Sequence, residues 1–77
     1  MKPQTLARIT AAIELIKEAE HPTEVRFANA YAHGYLDALY DEGILPAAEA
    51  QKYRDAAQVV RNKRLSDLGA DPLHQPA

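Results

Sequence analysis

Apolar residues recur along this chain at helical intervals, and the intervals predict three helices. Leu6, Ile9, Ile13 and Ile16 step by three, four and three, with Ala12 and Ala19 on the same side. Arg8, Glu14, Lys17 and Glu18 fall largely away from it, the pattern of an amphipathic helix from about Pro3 to Glu20. The isoleucines alone would suit a strand, but their spacing does not alternate, so the helical reading holds. His21-Pro22-Thr23-Glu24 interrupts the series: proline ends one helix and suits the first turn of the next, and Thr23 is a second candidate cap.

A second helix is predicted from about Thr23 to Glu42. Its apolar arc holds Val25, Phe27, Ala28, Tyr31, Ala32, Tyr35, Leu36 and Leu39, with Arg26, Asn29, His33 and Asp37 opposite. That arc covers about half the circumference, wider than the ~100° stripe that faces a single core. The helix is therefore expected to be central, packed on its two neighbours or on them and a second chain. A third helix is expected from near Pro46 to about Leu68, with Ala50, Tyr53, Ala57 and Val60 inward. Arg64 falls where the next apolar residue is due, and Leu65 and Leu68 only partly restore the stripe. Gly69 is the expected stop, and residues 70–77, which include Asp71-Pro72, read as a flexible tail behind a single domain at 1–69.

Between the second and third helices lies the most legible local signal, Leu36 to Glu49. Gly43 stands where a helix end needs positive φ, Ile44 where a cap places an apolar contact back on the finished helix, and Pro46 where a helix can open. Glu49 then faces the positive end of the new helix dipole. The run YLDALYDEGILPAAEAQKYRDAA resembles the helix–Gly–Ile–helix segment of SHOCT-type short oligomerisation domains at Leu36, Leu39, Gly43, Ile44, Leu45 and Glu49. It departs from that pattern at Pro46, where Ser or Thr is usual, and at Ala47-Ala48, where acidic residues are usual. The chain as a whole is also similar in style to small helical proteins of bacteriophages and mobile elements. The resemblance implies association rather than chemistry.

Composition narrows the field. A chain of 77 residues has room for one small domain, whose core alone seldom supplies more than about 3–5 kcal/mol. It contains no cysteine, which removes disulfides and thiolate metal sites, and His21, His33 and His74 are too scattered for a zinc pattern. A net charge of −2, 47% hydrophobic residues and no long apolar run point to a soluble, cytoplasmic protein without a membrane segment.

Catalysis finds little footing. Ser66 is the only serine, the glycines are isolated, and His33 with Asp37 one turn later is the best acid–base pair available, a pairing equally natural on a solvated face. No catalytic, cofactor or metal residue is assigned. Lys52, Arg54, Arg61, Lys63 and Arg64 make helix three locally basic, so contact with nucleic acid is one alternative and a structural assembly subunit another. Protein binding is the leading class. Ala30, Gly34 and Ala38 form a small-residue ridge, and Gly34 within a helix costs roughly 1 kcal/mol relative to alanine, which asks for a packing reason. The ridge is filled either by another helix of the same chain or by self-association.

The sequence thus predicts an all-α three-helix domain with a helical hairpin between helices two and three, dimeric, acting as a non-enzymatic regulator or inhibitor. It would occlude a surface of a larger bacterial protein, with Tyr40, Arg54, Arg61 and Arg64 as anchors for the partner.

Overall fold

The computed structural model describes residues 1–70, in three helices: α1 (Pro3–Glu18), α2 (Pro22–Asp41) and α3 (Ala47–Asp67). The predicted tail lies outside the described residues from 71 onward, while Ala70 itself packs against the core. Pro3 and Pro22 stand in the opening turns of α1 and α2, where the missing N–H leaves no hydrogen bond unmade. Neither His21 nor Thr23 supplies a side-chain cap to α2. Instead the Glu24 carboxylate accepts from the Glu20 backbone N–H at 3.0 Å, tying the entering chain to the first turn. Pro46 caps α3 in extended conformation and does not occupy its first turn; its carbonyl accepts from Ala50 N–H at 3.0 Å.

Both glycine stops are formed as expected. Gly43 has φ +73°, with Ile44 N–H bonded to Leu39 O at 2.8 Å and Gly43 N–H to Tyr40 O at 3.0 Å, the paired bonds of a Schellman cap. Gly69 repeats the arrangement at φ +79°, with Ala70 bonded to Leu65 O and Gly69 to Ser66 O. One detail of the first elbow differs from expectation: Ile44 is exposed and Leu45 is the residue that enters the core. The Leu45 N–H also points back to Leu39 O at 3.2 Å, so the chain has turned one residue further before its side chain meets the bundle.

Short links at Ala19–His21 and Glu42–Pro46 make consecutive helices antiparallel, and each helix touches both others. Towards one end Ile9 packs with Leu36, Leu39, Leu45 and Ala50; towards the other Ile16 and Ala19 pack with Val25, Ala32, Ala57 and Leu65, and Ile13 touches both groups. Leu65 is fully buried and restores the α3 stripe more completely than its spacing suggests, whereas Leu6 is exposed at the α1 entrance.

The expected polarity of α2 needs correction. Phe27 and Tyr31, read as part of the inward arc, are exposed; Arg26, Asn29 and His33, read as the outward side, are half-buried. The reason is that α2 has two neighbours. α1 covers the flank bearing Ala28 and Leu39, and α3 must then cover the next flank round the helix, which carries the polar residues.

Candidate interaction surface

With both flanks covered, the remaining face of α2 carries Phe27, Ala30, Tyr31, Gly34 and Ala38, and every one of them is exposed. Phe27 is 73% and Tyr31 59% accessible. A Cβ added at Gly34 would meet nothing within 4 Å, so none of the three described helices fills the ridge. The intramolecular explanation for Ala30, Gly34 and Ala38 is thereby excluded among the described residues.

The apolar surface continues onto α1. Ala11 and Leu15, the latter 51% accessible, line a shallow groove with Tyr31 and the half-buried Tyr35. Arg8 stands in this groove with Glu14 and Glu18, and Glu18 also lines a second depression with Leu15, Glu24 and Ala28. One end of the surface is therefore rimmed by a guanidinium and the other by carboxylates. Apolar groups in a contiguous exposed patch with a charged rim mark a surface made for contact.

The basic side chains of α3 are engaged within the fold. Arg54 forms an ion pair with Asp37 of α2. Arg64 Nε donates to the carbonyl of Ala19 at 2.7 Å, capping the C-terminal end of α1 from across the bundle. Lys63 pairs with Asp67 at 3.2 Å, Lys52 lies 5.7 Å from the ring centre of Tyr53, and half-buried Arg61 donates to Asn62 Oδ1 at 3.0 Å. Of the anchors expected from sequence, Tyr40 is exposed near the elbow, while Arg54, Arg61 and Arg64 are half-buried with intramolecular partners. The four do not form one cluster with the Ala30/Gly34/Ala38 ridge, which faces away from α3.

The pairing open to His33 and Asp37 by spacing is not made among the described residues. Asp37 is taken by Arg54, and the buried His33 Nε2 has no hydrogen-bond partner among the described residues. Arg26 Nε and Asn29 Oδ1 share that condition on the same flank. No group of three His, Asp or Glu side chains among the described residues is placed to hold a metal ion. No helix of the described residues is long and apolar enough to cross a membrane.

Sequence reasoning placed Phe27 and Tyr31 in one wide apolar arc of α2 without separating its outward part from its buried part. The signal was present in register: Phe27 and Tyr31 stand on the same helical face as Ala30, Gly34 and Ala38, so a ridge left open to solvent takes both rings with it. No family model, no curated protein and no solved structure matches the chain.

Proposed function

We propose that this chain is a small non-enzymatic protein-binding module, a regulator or inhibitor that works by covering a surface of a larger bacterial protein. The observation that carries the reading is the outward face of α2, where Phe27 and Tyr31 lie exposed beside an unfilled ridge. Aromatic rings supply large contact area at low entropic cost, and small neighbours let another backbone approach closely. The resemblance of the Gly43-Ile44 elbow to short oligomerisation domains points the same way. Tyr40 provides a separate exposed anchor beside that elbow. The rival reading, phosphate contact by α3, gains little support, because Arg54, Lys63 and Arg64 already have partners.

The test is retention of a protein from nuclease-treated bacterial lysate by the immobilised chain. Wild type should retain a partner that a Phe27→Ser/Tyr31→Ser variant of equal helicity loses. Retention abolished by nuclease, with measurable affinity for random-sequence DNA or RNA, would transfer the function to α3.

A further inference from the structure

Along the centre of the open face of α2, with Ala30 at its edge, Phe27, Tyr31, Gly34 and Ala38 run in the order large, large, small, small. Their steps are four, three and four, so the positions read the same from either end. A second copy laid antiparallel, with its twofold axis between Tyr31 and Gly34, sets each Tyr31 ring over the other copy's Gly34. The same operation sets each Phe27 over the other copy's Ala38. A parallel pairing instead meets large with large and small with small, which leaves gaps beside steric conflict.

Charge selects the same orientation. α1 runs antiparallel to α2, with Ile9 in the cluster of Leu36 and Leu39 and Ala19 in that of Val25. Arg8 therefore lies level with the Ala38 end of the surface and Glu18 with the Phe27 end. Antiparallel copies set the two α1 helices side by side and bring each Arg8 towards the other copy's Glu18 and Glu24, whereas a parallel twofold puts them on opposite sides of the seam, where these charges do not meet. We infer that the outward face of α2, with the rim of α1, binds a second copy of this chain in antiparallel, isologous fashion. The inference rests on reading this face as protein-binding, and names a second copy as its occupant in the isolated protein.

Because the chain has no cysteine, orientation is directly measurable. Chains carrying Phe27→Cys and Ala38→Cys, mixed and oxidised, should form the mixed disulfide in preference to either symmetric one. Preferential 27–27 and 38–38 disulfides would overturn the antiparallel pairing. Light scattering of the wild type should give twice the 8.5 kDa chain mass at micromolar concentration, and a monomer at millimolar concentration would also overturn it. Gly34→Leu should weaken pairing at least tenfold while keeping full helicity; pairing of unchanged strength would show that another surface is used. Arg8→Glu and Glu18→Arg should each weaken pairing about two- to fivefold, as exposed ion pairs do, and together restore it. Failure of all these leaves the lysate experiment unaffected, so loss of self-pairing is separable from loss of protein binding.

Discussion

Gly34 and Gly43 occupy equally open positions, since an added Cβ at either would meet nothing within 4 Å. Their substitutions should nevertheless have opposite signs. Gly34 is inside α2 with ordinary helical backbone, so Gly34→Ala should raise monomer stability by up to about 1 kcal/mol. Gly43 has φ +73°, where any Cβ is strained, and Gly43→Val should lower stability by more than about 1 kcal/mol. Chemical denaturation at low protein concentration measures both without interference from association. Arg64 makes a third residue-scale case. It was expected as an outward anchor because it breaks the α3 stripe, yet its guanidinium completes the end of α1. Arg64→Met keeps the apolar stem and removes the donor, and should cost about 1 kcal/mol of folding stability. A melting curve identical to wild type would show that solvent serves the Ala19 carbonyl equally well. This role was not legible in sequence, because the acceptor is a backbone atom on another helix.

At the scale of elements, the helices and their stops were largely written in local chemistry. The spacing of Ile9, Ile13 and Ile16 and the positive-φ positions of Gly43 and Gly69 each depend on a few neighbouring residues. Orientation about the helix axis was harder to read, as α2 shows. A hydrophobic arc locates one buried side, but a helix between two neighbours has two, and the side meeting α3 is built from Arg26, Asn29 and His33. The Arg54–Asp37 pair ties α2 to α3 on this side. Buried polar atoms on this seam without partners are a weakness that apolar replacement should relieve. Asn29→Leu is expected to raise stability by about 1 kcal/mol, read as a shift of the urea midpoint with unchanged slope. An unchanged or lower midpoint would mean that the Asn29 amide makes contacts worth more than its buried oxygen loses. The candidate surface was half legible for the same reason: the Ala30/Gly34/Ala38 ridge stood out in sequence, whereas the fate of Phe27 and Tyr31 depended on where α1 and α3 came to lie.

For the whole molecule, small size is the governing fact. The described core has twelve buried apolar residues, five of them the alanines Ala12, Ala19, Ala32, Ala50 and Ala57, so little apolar area stands against chain entropy. Association through the open face of α2 should therefore add visibly to stability. The melting temperature of wild type should rise with protein concentration, while that of Gly34→Leu should stay flat; a flat wild-type curve would show that folding and pairing are not linked. The links at Ala19–His21 and Glu42–Pro46 have a separate kinetic meaning. Helices joined so closely bring together residues near in sequence, and chains dominated by such neighbours fold in microseconds to milliseconds. A protein that recloses this fast is cleaved in proportion to how much of it is open at equilibrium, not to how slowly it opens. Its survival among proteases then follows its free energy of folding, and whatever binds it also preserves it.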